Sequence, residues 1–272
     1  MRLTFNLTSF LVNLQNQPKS RLMRGLGLLL SLLLLGQEIS AQEKNQDSIQ
    51  VNKSKKAFNY KSLLVPTVLI GYGVVSLENH TLQNLNNSTN EELREHIDKR
   101  FTLDDVTQYM PFLSVYALNN LGVKGKHQFT DRTLILGTAY LIMGATVNIL
   151  KKTTYEMRPD GSSSNSFPSG HTATAFMGAE FLYQEYKNTS IWYGITGYAI
   201  ATGTGFFRMY NDRHWLNDIA TGAGIGILST KIAYWLHPHI KTLLFKNEKK
   251  INGMALPYFN GKEYGVSVAL RF

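Results

Sequence analysis

Between positions 132 and 150 the chain sets Leu134, Leu136, Tyr140, Leu141, Met143, Val147 and Leu150 around most of a helix's circumference. A helix apolar on so many sides must find neighbours, so the pattern predicts a buried helix in a bundle. Two later segments offer suitable neighbours. Residues 191–207 carry Gly194, Gly197, Ala199, Ala201, Gly203 and Gly205, and residues 216–235 carry Ala220, Gly222, Ala223, Gly224 and Gly226. Small residues let helix backbones approach closely, in a soluble bundle or in a bilayer. Residues 62–77, 104–121 and 172–186 also read as helices. Residues 78–100 read as loop plus surface helix, and 155–168 as loop. The expected fold is all-α, a bundle of about six core helices.

Both ends depart from the bundle. Asn260-Gly261 is a two-residue hairpin signal, and Tyr264, Val266, Val268, Leu270 and Phe272 then alternate with small or polar residues. One hairpin cannot close a barrel, which takes about eight strands, so 246–272 is expected to be a tail with a short packing β-hairpin. At the other end Lys19, Arg21 and Arg24 precede an apolar run over 26–35, and Ser40 and Ala41 follow. That order predicts an export signal over 1–41, cleaved near Ala41, with an uncleaved anchor as the alternative. A polar, basic linker over 42–61 then leads to a helical domain over 62–245.

Composition narrows the chemistry. With no cysteine, disulfides, thiolate nucleophiles and cysteine zinc sites are excluded. A chain that is 43% hydrophobic and 17% charged is not disordered. Its net charge of +9 suits anionic partners. Nucleic acid is not the expected one, because the basic residues scatter among tails and loops without a binding motif.

Three clusters carry candidate chemistry. The first is Lys151 and, seven positions on, Arg158-Pro159, following the long apolar helix. Lys151 supplies a point charge and Arg158 a planar fork for phosphate oxygens. The second is Pro168-Ser169-Gly170-His171, just before the next helix. Backbone N–H groups at a helix start favour an anion, the Ser169 hydroxyl can add a donor, and His171 can give a proton near neutral pH. The third is Arg208, His214 and Asp218, joining two helices. His214 and Asp218 are four apart and can share a helix face, which leaves one ring nitrogen free to attack phosphorus. Up-down topology brings all three clusters to one end of the bundle. Three cations, two histidines and a carboxylate around one anion describe a phosphotransfer site with no metal.

This order, Lys-x6-Arg-Pro, Pro-Ser-Gly-His, Arg-x5-His-x3-Asp, resembles the type 2 phosphatidic acid phosphatase superfamily, which includes lipid phosphatases, bacterial acid phosphatases and vanadium haloperoxidases. The resemblance implies that His214 forms a phosphohistidine, that Asp218 orients it, and that His171 protonates the leaving oxygen and then activates water. It further implies that Lys151, Arg158 and Arg208 bind phosphate oxygens, helped by Ser169 and the Gly170 N–H, without cofactor. Where the family has Ser before the third-cluster Arg this chain has Phe207, and no role is carried onto it.

The expected substrate is a phosphorylated envelope lipid of the lipid A, undecaprenyl diphosphate or phosphatidic acid type. The alternative is a soluble periplasmic acid phosphatase. A vanadium haloperoxidase is less favoured, since such enzymes are usually larger, and so is a non-catalytic binding module. The expected location is exported, periplasm-facing and membrane-associated, with a polytopic inner-membrane protein as the alternative.

Overall fold

The computed structural model describes residues 60–95, 102–245, 252–259 and 264–271. The expected export signal, residues 42–59 of the expected linker and the expected Asn260-Gly261 turn lie outside the described residues. The chain divides into two compact units, Met1–Trp235 and Leu236–Phe272. Among the described residues eight helices follow a 3-10 turn, Tyr60–Leu63. They are α1 (Leu64–Val75), α2 (His80–Arg94), α3 (Leu103–Thr107), α4 (Met110–Asn120), α5 (Phe129–Thr154), α6 (Gly170–Tyr186), α7 (Ile191–Tyr210) and α8 (Leu216–Phe245). In the second unit Asn252–Phe259 (β1) and Tyr264–Arg271 (β2) pair antiparallel, with Asn252 opposite Arg271.

The centre of the bundle is α6, with twelve of its seventeen residues buried. Ser169 caps it, and Ala173, Ala175, Gly178 and Ala179 keep it narrow enough to be surrounded. The backbone of α8 lies against it. A Cβ added at Gly222 would stand 2.5 Å from the Ser169 carbonyl oxygen, and one at Gly226 would stand 2.3 Å from that of Ala173. The small residues read from the sequence therefore serve a helix contact too close for any side chain.

Three expectations are corrected. The predicted buried helix, now α5, buries only one stripe, Arg132, Ile135, Ala139, Met143, Val147, Leu150 and Thr154. These positions recur at three or four residues and face α6 and its neighbours. Leu141, on another face, is 76% exposed, and Tyr140 and Ile149 are exposed too. The helix predicted over 104–121 is two helices. Pro111 lies in the first turn of α4, where its missing N–H costs nothing, and the chain turns before it. The polar stretch 78–100 holds a fifteen-residue helix, α2, capped by Asn79, whose side chain accepts from the Leu82 N–H at 3.1 Å. This helix is more than surface cover: Asn86 and Asn90 are buried, and the Asn90 amide donates to Asp212 at 3.1 Å.

Candidate active site

The three clusters do meet at one end of the first unit. The loop after α5 starts with Tyr155 in the left-handed region, φ 51°, which turns the chain out of the helix. Backbone bonds then stitch this loop to the α7–α8 loop. The Asp160 N–H donates to the Asp212 carbonyl at 3.2 Å, and the Trp215 indole donates to the Met157 carbonyl at 2.7 Å. Asp160 also accepts from Arg213 at 3.0 Å.

His214 stands just ahead of α8, with its side chain 2% exposed. Its Nδ1 lies 3.2 Å from Oδ2 of Asp218, one helical turn on and fully buried. The same Oδ2 accepts from the Trp215 N–H at 2.9 Å and from the Ser166 hydroxyl, which also lies 3.4 Å from His214 Nδ1. With Nδ1 committed, Nε2 is the nitrogen left to react. Burial pushes the His214 imidazolium down to about 4, and Lys151 and Arg208 push the same way against Asp218. The ring is therefore neutral across the physiological range.

Lys151 lies in the last turn of α5, not beyond the helix as expected. Its Nζ donates to the Asn165 carbonyl at 2.5 Å and reaches that of Ser166 at 3.4 Å. Arg208, in the last turn of α7, pairs with Asp104 of α3 at 2.5 Å. Arg158, His171 and Arg208 line a cavity of about 460 Å³, together with Thr102, Asp104, Asp105, Asn211 and Arg213. The Nε of Arg158 and that of Arg208 are buried without a partner, donors that suit an anion. Ser169 is buried and acts as a cap, accepting from the Thr172 hydroxyl at 2.9 Å and the Thr172 N–H at 3.4 Å. Gly170 and His171 follow it in the first turn of α6, where N–H groups lack intrahelical acceptors.

Sequence reasoning missed Ser166, Asp104, Asp105 and Asn211. Asp104 is buried and also accepts from Asn211 at 3.0 Å, while Asp105 pairs with His171 Nε2 at 3.0 Å. Two acidic residues opening a helix look like ordinary dipole partners, so nothing local marks them. Asp104, Asp105 and His171 gather their polar atoms within 4.8 Å, and the Arg208 guanidinium already supplies the positive charge this cluster needs.

The described helices thus gather cations and two histidines at one end of the first unit. Residues 132–241 match the family model of the PAP2 superfamily. The chain is 39% identical over 153 residues to a lipid A 1-phosphatase of Porphyromonas gingivalis, covering 55% of this chain and 33% of that protein. It is 30% identical over 76 residues to the bacitracin transport permease protein BcrC of Bacillus licheniformis, covering 28% of this chain and 36% of that one. The chain thus spans about a third of the length of the curated relatives it matches. A crystal structure of Aquifex aeolicus LpxE overlays with a TM-score of 0.41 at 23% identity, covering 53% of this chain and 93% of that one.

Proposed function

We propose that the protein is a membrane-associated phosphatase that removes phosphate from an envelope lipid through a phosphohistidine, without a metal. The observation that carries this is His214, buried and neutral, held through Nδ1 by Asp218, with Lys151 and Arg208 acting on it electrostatically. The similarity to a lipid A 1-phosphatase favours a lipid phosphate of that type, with undecaprenyl diphosphate and phosphatidic acid as further candidates.

In the first step Nε2 of His214 forms a bond to phosphorus while the bond to the leaving oxygen breaks. His171 gives that oxygen its proton. Lys151, Arg158 and Arg208 neutralise the equatorial oxygens, and the first-turn N–H groups of α6 add dipole support. In the second step water attacks phosphorus, its proton passes to His171, the N–P bond breaks, and phosphate leaves. Asp218 fixes the ring and stabilises the charge that grows on it. The site faces the periplasm in this reading, behind an export signal.

The test is phosphate release by the full chain from lipid A, undecaprenyl diphosphate, phosphatidic acid and p-nitrophenyl phosphate, with and without detergent. A detergent-dependent preference for one lipid is expected. Fast, detergent-independent turnover of the small ester alone would make it a soluble acid phosphatase. His214→Ala should lower turnover by about a thousandfold or more, while circular dichroism stays unchanged. Normal turnover in that variant would overturn the mechanism.

A further inference from the structure

The phosphatase reading gives His171 a demanding role, yet its surroundings work against it. Burial and then Arg208 push the His171 imidazolium down, away from the protonated form that a general acid needs. Asp105 opposes both. Its Oδ1 lies 3.0 Å from His171 Nε2 and 3.9 Å from the Arg208 guanidinium.

The carboxylate is held in place by its own short helix. The Asp105 N–H donates to the Thr102 carbonyl at 3.2 Å, and its carbonyl accepts from the Gln108 side chain at 2.9 Å. Thr107 and Thr204 join hydroxyls at 2.9 Å, tying α3 to α7. Asp104, next in the chain, holds Arg208 and Asn211 from the same helix. One five-residue helix thus touches both the phosphate-binding arginine and the proton donor. It lies far from the three motifs in sequence, and Asp105 is 57% exposed in the wall of the cavity.

We propose that Asp105 is a positioning residue for the general acid, fixing the His171 ring through Nε2 and leaving the ring's other nitrogen to exchange a proton with the leaving oxygen. The arrangement repeats the His214–Asp218 pair on the opposite side of the reaction. One carboxylate serves the nucleophile and a second serves the acid. A carboxylate that accepts from one ring nitrogen fixes both orientation and tautomer, and loss of such a partner can cost much rate with little change in structure. The inference rests on the phosphatase reading.

The experiment compares wild type with Asp105→Asn, Asp105→Glu, His171→Ala and the Asp105→Asn/His171→Ala double variant. It measures kcat/KM for p-nitrophenyl phosphate and for an alkyl phosphate, across pH. This ratio reports the phosphorylation step, where the leaving group departs. Asp105→Asn should lose about 10- to 100-fold on the alkyl ester and about 3-fold or less on the nitrophenyl ester, whose oxygen needs little protonation. The alkaline limb for the alkyl ester should move to lower pH, because the carboxylate that holds the proton on His171 is gone. Asp104 from α3 and Arg208 from α7 also face that ring, and they are unchanged. Asp105→Glu should recover part of the loss. The double variant should be no worse than His171→Ala alone. Equal losses on both esters, an unmoved limb, or additive losses in the double variant would overturn the proposal while leaving the phosphatase reading intact. No phosphate release by wild type from any substrate would overturn both.

Discussion

At the scale of single residues, burial decides which histidine does what. His214 is enclosed and its imidazolium is pushed down to about 4, first by burial, against the pull of Asp218. The sign for stability follows. The unfolded chain takes up a proton near the ordinary histidine value of about 6.5, while the native ring stays neutral until about 4. Between those values the unfolded state binds more protons, so stability falls as pH falls. Linkage sets this loss at roughly 1 kcal/mol for each pH unit. Thermal unfolding between pH 6.5 and 4.5 should therefore be steeper in pH for wild type than for His214→Gln. Equal slopes would mean that His214 is not a buried neutral ring. The motif residues were legible in the sequence because their order and spacing resemble a known family's pattern, His214 and Asp218 being one helical turn apart as well. Ser166 was not. It is one of four serines in the loop over 155–168, and only the folded loop shows which one reaches Asp218.

At the scale of elements, the site depends on how closely α6 and α8 approach. One carries His171, and the other carries Asp218 just after His214. A Cβ at Gly226 would stand 2.3 Å from the Ala173 carbonyl oxygen and 2.7 Å from the Met177 nitrogen, both backbone atoms that cannot swing away. Gly226→Ala must push the helices apart, at a cost of about 1–3 kcal/mol. Gly144 on α5 has nothing within 4 Å of the same added atom. Gly144→Ala should be neutral or stabilise by about 0.5–1 kcal/mol, since alanine loses less backbone entropy in a helix. Denaturation of the two variants, with turnover measured beside it, checks the pair. A Gly226→Ala protein as stable and active as wild type would show that the contact is not tight. The sequence carried this contact as a run of small residues. It did not carry the partner, because a small-residue stripe fits any close neighbour. Nor did it carry the central place of α6. Apolar periodicity favoured α5, which has the richer side chains and the emptier surroundings.

At the scale of the whole molecule, the uncovered face of α5 asks what lies against it. The mean hydropathy of −0.16 reads like that of a protein in water. Yet among the described residues α5 is long and apolar enough to cross a membrane, and Leu141, near its midpoint, is 76% exposed. Leu64, Val65 and Val68 on α1 and Leu113 on α4 are exposed as well. Exposed apolar side chains thus occur on several helices at once. If the substrate is the proposed lipid phosphate, its acyl chains need apolar surface beyond the polar cavity of about 460 Å³. A lipid face on the bundle answers both needs. Leu141→Lys tests this away from the chemistry, since Leu141 touches none of the site residues. Insertion scales put a lysine at a helix centre about 2.5–3.5 kcal/mol worse than the membrane-buried alternative. The variant should therefore partition onto phospholipid vesicles about 70-fold less than wild type or worse, the same energy at about 1.4 kcal/mol per tenfold. Its turnover of p-nitrophenyl phosphate in detergent should stay within about twofold, because the site lies at the end of the bundle and does not depend on that face. Equal flotation of variant and wild type would take α5 out of the lipid and leave its exposed face without that role.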